Sequence, residues 1–295
     1  MKIIVLGAAA GGGFPQWNAA SAINRLAFAG DPNHPQATQA SLAVSANGFD
    51  WLLLNASPDL RQQIIATPDL QPRDGLRSSP IKSVILTGAD VDALTGLLTM
   101  RERQPFSLWA TDYVQRVIAA NPIFGVLDQS LVRFETIGAR TFEPLPDLQC
   151  TAFSAPGKPP LYLEKIEGIG PTGGASIGLR ISDKSGKSLV FLPSCAEITP
   201  EIKSTVTGAD ALFFDGTMYT DDEMIRSGEG AKTARRMGHI AMTDAIRELR
   251  EVKAGERYFI HINNSNPVLN RASPERKIVE QAGWHIAEDG MRIEL

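Results

Sequence analysis

A chain of 295 residues, 43% hydrophobic and 21% charged, can bury a large core. A formal charge of −4 with no basic block argues against nucleic acid as a primary partner. Two cysteines, Cys150 and Cys195, give neither a disulfide framework nor a thiolate zinc cluster, and no apolar run is long enough to span a bilayer.

Residues 1–6 read as a buried strand. The run carries one Lys and too short an apolar segment for a signal-peptide core, which sets the expectation of a cytoplasmic location. Gly7 to Gly13 reads as a tight loop. A dinucleotide fingerprint sought at Gly11-Gly12-Gly13-Phe14-Pro15-Gln16 ends on Gln and puts Pro15 where anion-binding amides should lie, and no Gly-Lys-Ser/Thr follows. Trp17 to Gly30 has the propensity of a short helix. Strands are expected at Ser41–Ser45 and Asp50–Asn55, paired through the Asn47-Gly48 turn signal. Leu60–Thr67 is helical, Pro80–Leu86 a strand, Ser107–Ala110 a strand and Thr111–Ile118 a helix. A β-rich stretch reaches Ser154. The Pro- and Gly-rich loop 158–172 is a candidate lid. Strands resume at 175–181 and 188–193. No linker or repeat appears, so one domain over 1–295 is expected, an α/β (α+β) sandwich with antiparallel as well as parallel pairing.

Polar groups gather at strand ends, where open α/β architectures converge their chemistry. After the strand ending at Leu86, Asp90 and Asp92 fall on one short loop. A metallo-β-lactamase-like sheet carries a His-x-His-x-Asp-His metal loop in this setting, and the stretch is similar to it. Thr87 stands in front, Asp92 fills the Asp slot and Gly96 stands behind, while Gly88, Asp90 and Ala93 occupy three histidine slots. By itself the loop is a modified metal site, a dead one or a coincidence. Further on, Asp215 follows Phe213-Phe214, His239 follows Gly238, and His261 leads Ile262-Asn263-Asn264. Each has a plainer reading. Asp215-Gly216 suits a turn, His239 could merely open a helix starting at Thr243, and His261 could be a hydrogen-bonded core residue.

Longer strings decide the family. Gly7-Ala8-Ala9-Ala10-Gly11-Gly12-Gly13-Phe14-Pro15-Gln16-Trp17-Asn18, Phe214-Asp215-Gly216-Thr217, Arg235-Arg236-Met237-Gly238-His239 and Phe259-Ile260-His261-Ile262-Asn263-Asn264-Ser265-Asn266-Pro267 are low-degeneracy runs. Through them the whole chain resembles the pyrroloquinoline quinone biosynthesis protein B family. The resemblance implies a metallo-β-lactamase-like αβ/βα sandwich of two mixed sheets flanked by helices. It implies a step that oxygenates the tyrosine-derived ring of a cross-linked Glu–Tyr precursor with iron and dioxygen. On that reading Asp92 and His261, with Asp90, hold Fe(II). Asp215 and His239 orient ligands and move protons, His239 as a neutral imidazole at a helix start. Asn263 and Asn264, with Lys158 and Arg180, bind the amino-acid ends of the substrate.

The alternative for the family is a binder that assists delivery of the quinone or its precursor to the periplasm; hydrolysis fits poorly without a two-metal His cluster. Many members carry a Cys-x-Cys-x-x-Cys after Trp-Asn. Ala19, Ser21 and Asn24 stand there in this chain, so no structural zinc is expected.

Overall fold

The computed structural model describes residues 1–163 and 174–295, so the expected lid lies from position 164 onward outside the described residues. Its strands are β1 (Lys2–Gly7), β2 (Ser41–Ser45), β3 (Trp51–Leu54), β4 (Ile81–Ile85), β5 (Phe106–Thr111), β6 (Val132–Ile137), β7 (Phe142–Leu145), β8 (Leu148–Ser154), β9 (Ile177–Asp183), β10 (Ser188–Leu192), β11 (Ala211–Asp215), β12 (Glu256–Ile260), β13 (His285–Ile286) and β14 (Arg292–Glu294). The helices are α1 (Ala22–Phe28), α2 (Leu60–Ala66), α3 (Val91–Leu94), α4 (Asp112–Ala120), α5 (Pro200–Val206), α6 (Glu223–Ser227), α7 (Ala234–Met237), α8 (Met242–Glu248) and α9 (Pro274–Gln281).

Among the described residues the strands form two sheets, ordered β14-β1-β2-β3-β4-β5-β6 and β13-β12-β11-β10-β9-β8-β7. Both are mixed, with parallel β3 to β6 and β10 to β13 joined to antiparallel neighbours. This is the expected sandwich. Its cause is legible in the strand residues, which are apolar on both faces because each sheet is covered on both. Ile3, Val5, Leu52 and Leu54 meet Leu179, Ile181, Phe191 and Phe213 between the sheets. Their alternates Ile4, Leu6, Trp51 and Leu53 pack outward against the layer that includes Leu60 of α2 and Val114 and Val117 of α4. On the far face, Leu212, Phe214 and Phe259 pack with Ile202 of α5, Ala245 of α8 and Val279 of α9.

The Asn47-Gly48 signal is a real hairpin. Asn47 Oδ1 accepts the amides of Phe49 and Asp50 (2.8 and 2.9 Å), and Gly48 takes φ 78°. The helix expected over 17–30 starts only at Ala22. Asn24 explains the delay, because its Oδ1 accepts the Gln16 amide (2.9 Å) and its Nδ2 donates to Ser21 Oγ (2.8 Å), which fixes the preceding stretch as turns. Ser21 and Asn24 therefore tie this stretch by hydrogen bonds.

Candidate metal and substrate site

The site lies where both sheets end. Among the described residues, strand ends β4, β11 and β12, the glycine loop after β1 and the segment around His239 enclose a cavity of about 280 Å³. Its walls include Gly11, Asn55, Asp90, Asp92, Lys158, Thr217, His239, His261 and Asn263.

The first wall is the Thr87–Asp92 loop. Asn55, at φ 63°, turns its Oδ1 to accept both the amide and the hydroxyl of Thr87 (2.8 and 3.0 Å). Asn is among the few side chains that tolerate this left-handed backbone. Asp90 occupies the N-cap position of α3 without a side-chain cap bond, so its carboxylate stays with the cavity. Although Asp90 keeps a solvent-exposed edge, the surrounding protein and then the Asp92 charge push its carboxyl up to about 6. An added Cβ on Gly11 would lie 3.6 Å from Asp92 Oδ2, so the glycine loop passes close over this carboxylate.

The second wall is organised by Thr217. Asp215 at the end of β11 is fully buried, and its carboxylate accepts from Cys195 N (2.8 Å), Thr217 N (3.0 Å), Thr217 Oγ1 (2.7 Å) and His239 Nδ1 (2.8 Å). The same hydroxyl lies 3.0 Å from His239 Nδ1 and 2.8 Å from His261 Nδ1. An ionised carboxylate only accepts, so the hydroxyl proton goes to Asp215, and His261 Nδ1–H donates to the oxygen of Thr217. His239 Nδ1–H goes to Asp215. The two rings stack with centroids 5.4 Å apart.

His261 Nε2 then faces Asp92 Oδ2 at 2.8 Å. Burial, the largest single influence, opposes charge on both groups, but the hydrogen bond and the surrounding opposite charges together outweigh it. The His261 ring is held above its ordinary range, and the Asp92 carboxyl below the usual carboxylate range. Beside an ionised Asp92, Nε2 must be the donor of this contact, a place a metal ion could take, and His261 takes φ 62°, a costly backbone for a non-glycine residue. Buried hydrogen bonds to the far side of metal-directed imidazoles are the usual support of a metal site. Asp215, His239 and His261 offer donor atoms within 4.8 Å of one another; with Asp215 and both Nδ1 atoms spent on hydrogen bonds, the donors left for an ion are the two Nε2 atoms and the Asp92 carboxylate. The donor set fits a metal ion.

The expected site residues divide. Asp90, Asp92, His239, His261, Lys158 and Asn263 reach the cavity wall, with Asp215 directly behind. Asn264 does not. It is buried, donating to Gln16 Oε1 and accepting from Asn24 Nδ2, and so braces the N-terminal loop. Arg180 is also elsewhere. Strand alternation turns it to the outer face of β9, where it donates to the carbonyls of Thr205 and Thr207 (2.5 and 3.1 Å) at the end of α5. His239 does not open a helix. It follows Gly238 (φ 96°), which ends α7, and its amide donates back to Ala234 O (3.0 Å). Sequence reasoning misses Thr217 and Asn55; the Asp-Gly-Thr spacing is the available signal for Thr217.

A family model described as the beta-lactamase superfamily domain matches residues 50–262. The fold and the strand-end donor cluster thus define a metallo-β-lactamase-like protein. Among curated relatives, a coenzyme PQQ synthesis protein B of Methylorubrum extorquens is 50% identical with all of both chains covered, and that of Gluconacetobacter diazotrophicus is 50% identical over 99% of each. The crystal structure of Zn²⁺-bound PqqB from Methylobacterium extorquens is 50% identical over all of both chains, with a TM-score of 0.96. A diphosphatase of the PhnP family, 20% identical with a TM-score of 0.71 over 100% of this chain and 96% of its own, shares the fold. The chain belongs to the coenzyme PQQ synthesis protein B family.

Proposed function

We propose that this protein acts in pyrroloquinoline quinone biosynthesis by hydroxylating the tyrosine-derived ring of the cross-linked Glu–Tyr precursor, with Fe(II) and dioxygen. The observation that carries the reading is that two braced imidazoles, His239 and His261, line the same cavity as the Asp92 carboxylate that faces them from the opposite wall. Two imidazoles and one carboxylate with open positions suit ferrous iron, and such a metal supplies dioxygen activation when bound.

The chain's own residues do the rest. Asp215 and Thr217 hold both Nδ1 protons, so that each Nε2 is aimed at the cavity or its Asp92 edge. Asp90, whose carboxyl is pushed up to about 6, is suited to take a proton from a phenol hydroxyl. Asn55 spends its Oδ1 on Thr87 and leaves its Nδ2 as a donor for a substrate oxygen. Lys158 and Asn263 line the same space.

The test is anaerobic reconstitution with ferrous iron, followed by exposure to air with a tyrosine-bearing Glu–Tyr diamino acid. Ring hydroxylation is expected, and Asp92→Ala should abolish it. Absence of turnover, with iron held no tighter than by Asp92→Ala, would overturn the proposal. Tight binding of the quinone by metal-free protein would then favour the carrier role.

A further inference from the structure

Behind the cavity a buried polar chain runs away from the metal-directed residues. Glu223 of α6 is only 8% exposed. One carboxylate oxygen accepts the Tyr219 amide (2.6 Å), and the other meets Ser265 Oγ at 2.5 Å. Ser265 Oγ in turn lies 2.6 Å from Asn263 Nδ2, which also contacts Met224 Sδ at 3.6 Å.

The protons in this chain can be counted. An ionised Glu223 only accepts, so the single Ser265 proton goes to it. Ser265 must then accept from Asn263, which requires the NH₂ end of that amide. The Asn263 atom left for the cavity is its carbonyl oxygen, which among the described residues meets a long 3.4 Å contact from Asn264 Nδ2. The Asp90 and Asp92 carboxylates in the same cavity favour a cation beside it.

We propose that Glu223 and Ser265 are positioning residues that lock the Asn263 amide with its oxygen toward the cavity, creating an acceptor subsite for a primary ammonium group of the substrate. This rests on reading the cavity as the substrate site, and it specifies which end of an amino-acid-like ligand lies against β12. Glu223→Gln makes a specific reversal. The Tyr219 amide can only donate, so it claims the Gln carbonyl, and the Gln NH₂ faces Ser265. Ser265 then donates to Asn263, whose amide turns its oxygen inward and its NH₂ toward the cavity.

Two measurements at pH 8 on the full-length, zinc-exchanged protein test this. The pH lies above the carboxyl of Glu223, which burial pushes up to about 7 with a small further push from Glu229. By NMR, the Asn263 side-chain amide protons should show Overhauser contacts to the Met224 methyl in the parent, and these should vanish in Glu223→Gln. By calorimetry, L-glutamyl-L-tyrosine should bind at least tenfold more tightly than its N-acetyl form. Glu223→Gln and Ser265→Ala should erase that preference. Unchanged Overhauser contacts in Glu223→Gln, no preference in the parent, or no binding of either probe would overturn the proposal. Should Glu223→Gln fail to fold, Ser265→Ala supplies the same comparison. Neither readout involves oxygen or turnover, so failure here and failure of the hydroxylase reading are separable.

Discussion

Thr217 satisfies two partners, Asp215 and His261, with one hydroxyl, and its value can be read by replacing it with an isostere that has none. In Thr217→Val the shape is kept, but Asp215 Oδ1 loses a donor and His261 Nδ1–H loses its acceptor in a buried setting. Losing such outer support typically lowers metal affinity about 10–100-fold. Leaving a buried polar group unpaired costs about 1–3 kcal/mol. Competition titration with a chelating dye should show weaker metal binding, and urea unfolding should show reduced stability in the absence of metal. Equal affinity in both proteins would mean that the Asp92–His261 pair alone orients the ring. Glu223 offers a residue-scale readout of pH. Its folded carboxyl keeps a proton up to about 7, whereas the unfolded chain releases it near 4.5. The folded state therefore binds more protons across that window, and this contribution to stability is lost as pH rises from about 4.5 through 7. Chemical denaturation from pH 5 to 8 should show a falling component that Glu223→Gln removes.

At the scale of elements, Arg180 separates structure from site. Its guanidinium gathers carbonyls at the end of α5 and reaches Ser188 Oγ, so it fastens that helix to β9 and β10. Arg180→Ala should cost about 1–3 kcal/mol in urea unfolding while leaving metal and substrate-analogue affinity unchanged; weakened affinity at full stability would return Arg180 to the site. The reason the sequence misplaces it is geometric. Arg180 lies three residues into β9 from the Ile177 end that meets Thr87, roughly 10 Å along the strand, and its alternation sends it outward. Strands such as Leu52–Leu54 and Phe213–Phe214 are legible because burial on both faces leaves an unbroken apolar run. Asp215 and His261 are legible because each sits at the end of such a run, and Asp92 because it lies on the short loop and helix that follow one. His239 is found but misread in its local setting, since Gly238 ends one short helix before the next begins at Met242. Asn55, the contacts of Thr217 to the two histidines and the Glu223–Ser265 chain are hidden for a common reason. Each acts through a partner distant in sequence, and no local period encodes that contact.

The two sheets meet over a wide apolar interior, and the donor atoms of the site are divided between them. Asp90 and Asp92 follow β4 of one sheet, while Asp215 and His261 follow β11 and β12 of the other. Polar bonds tie the two sheets together at the site, among them His261 Nε2 to Asp92 at 2.8 Å, Ile177 N to Thr87 O at 2.9 Å and the Ala10 and Ile262 amides to Ile262 O and Ala8 O at 2.8 and 2.9 Å. An ion held by both halves stabilises the folded chain by RT ln(1 + [L]/Kd), about 1.4 kcal/mol for each tenfold excess over Kd. Calorimetric unfolding should therefore move to higher temperature with added metal, and Asp92→Ala should flatten that response because it removes the first sheet's share; an equal rise in both proteins would place the ion on β11 and β12 alone.

The left-handed backbone of His261 has a consequence for how this chain can change over generations. A residue that must sit at φ 62° and also present an imidazole has almost no neutral replacements. Glycine relaxes the backbone but discards the ring, while Asn keeps the conformation and offers only a weaker donor. Gly88 and Ala93, by contrast, are not among the positive-φ positions, so their backbone makes no such demand on the side chain. The two sides of the site are therefore unequally constrained by their backbone: the loop after β4 accepts ordinary side chains, whereas the His261 position after β12 penalises almost every one.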